Sequence, residues 1–443
     1  MTTVAFALLS LFVSGKAKAQ DSIRVTLNEA LEIALSENPT IKVADNDIQL
    51  KKYARKETIA GLFPNISANG SFQDALKLQK MKLDFSPEPV SMGQQYTTTA
   101  SFNLSLPLVA PQLWKTVELN QQDVELAWES ARSSKIDMVN QVKKAYYSLL
   151  LAQDAYQALL AGYNNAELNA RTVTDKFNQG LVSEYDKLVA DVQLRNQKPH
   201  VVNGENAVRL AVMQLKVLMG IDIHEPIIFE GNLNDYEEEM FSDLMHLKSD
   251  TSLEDNSTLK QLDIQERQLK LAEKINKLGY APTLSASLNY GWQGMDKNLK
   301  FSDYYWSPGS TFGLSLSIPI FDGGSKYYKT KQNKVSLLNL DLQRDNVIRQ
   351  LELSVTNSLN NIETAVEQVS SNKESVTQAQ KAFTISQKRY NVGSGTLLEM
   401  NTSETALTQA RLQYAQSIYD YLAARAELEA TLGRSVETIK NEK

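Results

Sequence analysis

The 443-residue chain has no cysteine, only three histidines and no long apolar run. Without cysteine there are no disulfides, no thiolate chemistry and no lipidated amino-terminal cysteine, although this leaves the compartment open. His200, His224 and His246 share no ligand spacing, so they make no metal site. Beyond the amino terminus no segment approaches 18 consecutive apolar residues, so no transmembrane helix is expected. Positive charge is not in excess either: the net charge is −6 and the signs are mixed, which removes the footprint of a nucleic-acid binder. Gly393-Ser394-Gly395-Thr396 resembles a phosphate loop only superficially, because it follows a helical run and lacks the lysine. No nucleophile–base pair can be assembled, and neither catalysis nor a cofactor is expected.

Glycine and proline are both missing from Ser325 to Tyr390, and that absence is informative. Within the stretch Val355, Leu359, Ile362, Val366, Val369, Val376, Ala379 and Phe383 recur at spacings of three, four or seven. This is a heptad seam, the pattern of a helix packed lengthwise on another. At about 1.5 Å per residue it predicts a rod of roughly 100 Å. Asn391-Val392-Gly393-Ser394-Gly395-Thr396 permits a tight reversal, Thr396 is a candidate N-cap, and helix continues to Leu432 before Gly433.

The same design occurs earlier. Val142, Ala145, Leu149, Ala152, Tyr156, Leu159, Tyr163 and Ala166 alternate at helical spacing, and no proline falls between Pro111 and Pro199. Phe177-Asn178-Gln179-Gly180 returns 213 positions later as Tyr390-Asn391-Val392-Gly393, and Leu218-Met219-Gly220 returns as Thr431-Leu432-Gly433. Upstream, Asn38-Pro39 and Pro64 correspond to Asn256-Ser257 and Pro282 at an offset of 218. The chain is an internal duplication. A first repeat spans 20–220, with helices up to about Ala60 and a helical hairpin over about 112–219. A second spans 256–433, with its hairpin over about 323–432. An acid-rich connection (221–255) joins them, and a tail (434–443) follows. Its acids lack metal-ligand spacing and read as a solvated face, and Pro199 should kink the returning helix of the first hairpin.

After Pro64 and Pro282 the period changes from helical to two. Strands are predicted over about 66–76, 95–108, 283–293 and 310–320, each with one apolar face and one face of small uncharged polar residues. Aromatics (Tyr96, Trp292, Tyr304, Tyr305, Trp306, Phe321) sit near the strand ends. Two hairpins on a soluble core would explain the alternation; bilayer strands explain the length, the uncharged polar face and the aromatics as well. Residues 4–13 (VAFALLSLFV) before Ala17-Lys18-Ala19 read as a signal peptide over 1–19, although no lysine or arginine precedes the apolar run. Four strands cannot close a barrel, and open edges cannot face lipid, so the strands must be pooled in an oligomer. A dimer gives a narrow barrel of eight; a trimer gives twelve.

Two repeats of helix, strand pair and long hairpin, with these turn motifs and with Leu106-Pro107 and Ile318-Pro319 after the strands, resemble the TolC-like outer-membrane efflux channels. The resemblance covers about residues 24–433. It implies a mostly α chain with a small membrane β part, a homotrimer with a 12-stranded barrel in outer-membrane lipid of a Gram-negative bacterium, and an α-helical tunnel in the periplasm. It also implies a passive exit duct for tripartite efflux or type I secretion. Its tips, Gly180, Leu181, Val182, Ser183 and Gly393, Ser394, Gly395, Thr396, would meet a periplasmic adaptor coupled to an inner-membrane pump of resistance-nodulation-division or ABC type. By the same resemblance Glu399, Thr402, Asp186 and Tyr390 occupy the gate, with Tyr390 partnered by Asp186. Thr402 departs from the family's second acidic position. The alternative for Glu399 is an ordinary solvated helix position, and the alternatives for the chain are a periplasmic adaptor or a structural coiled-coil envelope protein.

Overall fold

Proline and glycine punctuation sets the element boundaries. The computed structural model describes residues 23–82, 88–237, 240 and 251–434; the expected signal peptide and nearly all of the tail lie outside them. The chain runs β1 (Ile23–Val25), α1 (Leu27–Glu37), α2 (Pro39–Ala60), β2 (Asn65–Asp74), β3 (Gln79–Met81), β4 (Val90–Met92) and β5 (Tyr96–Val109). Helices α3 (Pro111–Asn178) and α4 (Glu184–Met219) form the first long hairpin, followed by β6 (Ile227–Phe229) and a 3-10 turn at Leu233–Tyr236. Then come α5 (Ser257–Leu278), β7 (Thr283–Asp296), β8 (Tyr305–Ser317), α6 (Ser325–Asn391) and α7 (Leu397–Leu432). The two outgoing helices have 68 and 67 residues and the two returning helices 36 each.

The strand bounds shift from those the sequence predicts, most of all at the last strand. The last strand covers 305–317 rather than about 310–320. Proline lacks the ladder donor, so Pro319 falls outside it, while Pro308 is accommodated because β8 is an edge strand. Pro199 removes one helical hydrogen bond, and α4 runs through it to Met219, the end expected of the first hairpin. Within the acid-rich connection β6 pairs in parallel with β1, Val25 against Phe229, and so ties the segment before α1 to the link between repeats.

The helices are fixed at their ends by local chemistry. Thr26–Glu29 before α1, Ser183–Asp186 before α4 and Thr396–Glu399 before α7 are all reciprocal capping boxes, each worth about 1 kcal/mol. Gly220 and Gly433 close α4 and α7 in the left-handed conformation, with φ of 72° and 78°.

The chain divides into two units, and α2, α3 and α6 each run from one into the other. One unit comprises 1–43, 132–257 and 348–443. Its core is built from the seams of the hairpins, with Val142, Leu149, Leu215, Met219, Ile362, Val369, Ile418 and Leu428 buried together with Leu31 and Ile41. Burial of each such side chain contributes about 1.5–3 kcal/mol, the term that makes the long helices stable.

The other unit (44–131 and 258–347) carries the four-stranded antiparallel sheet, in the order β2-β5-β7-β8. Each repeat supplies one hairpin, and β5–β7 pairing joins the repeats. The register aligns Ile66, Leu104, Leu288 and Phe312 across the sheet on one face, and Ser67, Asn103, Asn289 and Thr311 on the other. Cross-strand polar contacts such as Ser71–Thr99 (2.6 Å) and Asn103–Asn289 line the second face. A register shift between Pro107 and Val109 absorbs the missing donor of Pro107. Among the described residues nothing in this unit covers the apolar face: Ile66, Phe312, Leu314 and Leu316 are each more than 60 % exposed. Among the described residues the two hairpins pack on no soluble core of their own, which would bury such a face.

Candidate functional site at the hairpin tips

The two tips are built alike because the repeat unit is duplicated. In the first, Gly180 has φ 74°, and the amides of Gly180 and Leu181 bond back to the carbonyls of Phe177 and Lys176. In the second, Gly393 has φ 79°, and the amides of Gly393 and Ser394 bond to Tyr390 and Arg389. A β-carbon at Gly180 or Gly393 would meet nothing within 4 Å. Both glycines therefore serve the positive φ and not a tight contact. Around them Leu181, Tyr185, Val392 and Leu398 are 68–79 % exposed. Each tip presents apolar side chains on a rigid, capped turn.

The tips pack on each other through a small core. Ala170 and Val173 of α3, Ala190 of α4, Phe383 and Tyr390 of α6, and Leu397, Met400 and Leu407 of α7 are buried together. Lys176 of the first hairpin lies 4.4 Å from the centre of the Tyr390 ring and donates to the Tyr390 carbonyl at 3.3 Å. This cation–π contact joins the two hairpins, and nothing in the sequence pattern marked Lys176.

The expected gate residues fall into two groups. Asp186 and Glu399 stand at equivalent positions of the two repeats. Asp186 accepts from the Ser183 hydroxyl at 2.7 Å, and Glu399 faces the Thr396 amide at 3.5 Å and Arg389 at 3.5 Å. Glu399 keeps about half of its side chain exposed, and Thr402, one turn on, is exposed. Both line an accessible side of α7. Tyr390, by contrast, is buried, and its hydroxyl has no hydrogen-bond partner. Burial, and then the negative charge of Asp186, push the phenol above its ordinary range. Asp186 is thus near Tyr390 but bonded to its own helix cap.

One buried acid escaped the sequence reading. Glu404 of α7 is 3 % exposed, and neither carboxyl oxygen has a hydrogen-bond partner. The available signal was its spacing: four residues after Met400 and three before Leu407, both buried, it occupies the helical seam. Among the described residues no cluster of His, Cys, Asp and Glu could hold a metal ion, and no helix is long and apolar enough to cross a membrane.

Bilayer-length strands with a bare apolar face, leading in duplicate into very long capped hairpins, define the class of outer-membrane channel-tunnels. The chain belongs to the outer membrane efflux protein family, whose model matches residues 30–221 and 249–434. It is 23 % identical to the outer membrane protein TolC of Salmonella enteritidis, over 90 % of this chain and 84 % of that protein. The alkaline protease secretion protein AprF of Pseudomonas aeruginosa is 20 % identical, over 92 % of this chain and 84 % of its own. Among solved structures, the Campylobacter jejuni CmeC outer membrane channel superposes with a TM-score of 0.71 at 16 % identity, covering 94 % of this chain and 89 % of that one. The protein is an outer-membrane exit duct whose helical part lies in the periplasm.

Proposed function

We propose that three copies of the chain pool their sheets into one twelve-stranded barrel and form the passive exit duct of a tripartite efflux or type I secretion machine. The observation that carries this is the four-stranded sheet itself, with bilayer-length strands, a bare apolar face and edges at β2 and β8 left unpaired among the described residues. Unpaired backbone groups cannot face hydrocarbon, so each β2 edge needs the β8 edge of a neighbour. No chemistry is required of the chain, and energy comes from the inner-membrane pump.

The tips are the gate and the docking point. Exposed Leu181, Tyr185, Val392 and Leu398 offer an apolar surface to the hairpin of a periplasmic adaptor, with Gly180–Ser183 and Gly393–Thr396 setting its shape. Glu399, half exposed beside exposed Thr402, supplies one carboxylate per subunit to a ring on the three-fold axis. Such a ring favours cations by simple electrostatics. An adaptor that binds separated hairpins better than packed ones shifts the population toward the open duct. Planar-bilayer recording of the purified protein tests this reading. Cation-preferring conductance that loses its preference in Glu399→Gln supports it; a protein without conductance, or a variant with unchanged selectivity, overturns it.

A further inference from the structure

Glu404 is the one acid in the described part of the tips that is wholly buried with both oxygens unpartnered. It faces α3. The next turn of α7 sets Thr408 so near Gly162 that a β-carbon there would lie 3.2 Å from the threonine hydroxyl, which fixes the two helices in close contact. Opposite Glu404, α3 presents Asn165, and Asn169 lies one turn nearer the tip, 8 % exposed with an unpartnered amide nitrogen. The charges on the surrounding helices are engaged elsewhere or exposed. On α3, Glu167 takes Arg171 at 2.7 Å; on α7, Arg411 donates to Gln380 of α6 at 2.7 Å. On α6, Arg389 reaches Glu399 at 3.5 Å, and Lys381 and Lys388 are exposed; on α4, Asp186 accepts from Ser183, Asp191 is half-buried and Arg195 is exposed. Among the described residues no cation pairs with Glu404.

An unpaired carboxylate in such a place is strongly unfavourable, so the packed interface keeps the group neutral or gives way. We propose that Glu404 is a gating residue of this duct, neutral while α7 packs on α3 and ionised once the hairpins separate, so that proton release holds the duct open. The inference rests on the reading of the tips as the gate.

The burial and the group's proton affinity point the same way. Burial pushes the carboxyl up to about 7; the facing Asn165 amide counters this in part, without reaching hydrogen-bonding geometry. Hydrated in the separated state, the group returns toward its ordinary 4.5. The packed state therefore binds the proton more tightly. Its advantage is full below about pH 4.5 and is lost as pH rises to about 7. The difference corresponds to roughly 300-fold in the ratio of packed to separated hairpins, of which about 70-fold falls between pH 5 and pH 8.

Hydrogen exchange on the detergent-solubilised full-length assembly reads this ratio. Protection of amides 397–410 and 160–173, corrected for intrinsic rates, should fall by tens of fold from pH 5 to pH 8. In Glu404→Gln it should stay the same at both values; Glu404→Leu is a second variant with the same expectation, and the wild-type titration needs no variant at all. Wild-type protection that ignores pH, or a Gln variant that still loses it, overturns the proposal while leaving the tip gate standing. Protection that responds to pH while conductance does not would overturn both the gating role of Glu404 and the tip gate.

Discussion

Asn256 donates its side-chain amide to the carbonyl of Thr431 at 2.8 Å, and Asn38 makes the same bond to Leu218 at the same distance. Both asparagines are buried, and both cap the last turn of a returning helix. The duplication therefore preserves a tertiary hydrogen bond as well as a hydrophobic pattern. It closes each repeat by tying the end of its hairpin to the start of a preceding helix. Asn38→Ala and Asn256→Ala each leave a helix-end carbonyl without its partner, and each should cost about 1–3 kcal/mol. Denaturant unfolding in detergent checks this; variants as stable as the parent would show that water replaces the amide.

Glycines at helix ends and at tips are predicted to behave differently. A β-carbon at Gly433 would lie 2.1 Å from the Asp255 carbonyl oxygen, and one at Gly220 would lie 2.8 Å from the Asn38 α-carbon. At Gly393 and Gly180 space is open and only φ matters. Gly433→Ala should therefore destabilise by several kcal/mol or prevent folding, whereas Gly393→Ala should cost about 1 kcal/mol. Parallel thermal melts of the two variants decide it.

The long-range design was legible because it is periodic. Heptad seams over dozens of residues, strict alternation in the strands and a repeated turn motif all outlast local noise. What was missed lacks a period. The pairing of Ile23–Val25 with Ile227–Phe229 rests on strands of three residues, too short to show alternation. The start of β8 was hidden by Ser307-Pro308-Gly309, which reads as a loop until the strand is known to be an edge. Glu404 drew no reading from the sequence, since acids are ordinarily solvated and only its place in the seam says otherwise.

Acid should loosen a different part of the molecule from the tips. Burial alone would raise the Glu237 carboxyl, but hydrogen bonds from Lys373 (2.7 Å) and Tyr414 (2.9 Å) outweigh it and hold the group below its usual range. A depressed carboxylate contributes stability that is full above its unfolded value near 4.5 and is lost as pH falls through the folded one. Proteolysis or hydrogen exchange at the turn over 233–237 should therefore accelerate below about pH 4.5. Glu237→Gln should be loosened already at neutral pH. This is the opposite sign to Glu404, so the two sites are separable by pH alone.

Closure of the barrel between subunits is open to cross-linking because the chain has no cysteine of its own. Cysteine pairs with one member on β2 (Ser67, Asn69 or Ser71) and one on the same polar face of β8 (Ser307, Thr311 or Ser315) should give covalent trimers in outer-membrane fractions for those pairs that fall in register. Pairs joining β2 to β5 or β7 to β8 should link only within a chain.

The central claim is that four strands per chain are completed by two further copies. Light scattering on detergent-extracted outer-membrane protein, corrected for bound detergent, measures it directly. A particle of three chains that needs detergent to stay dispersed is the result expected; a water-soluble monomer would contradict the account.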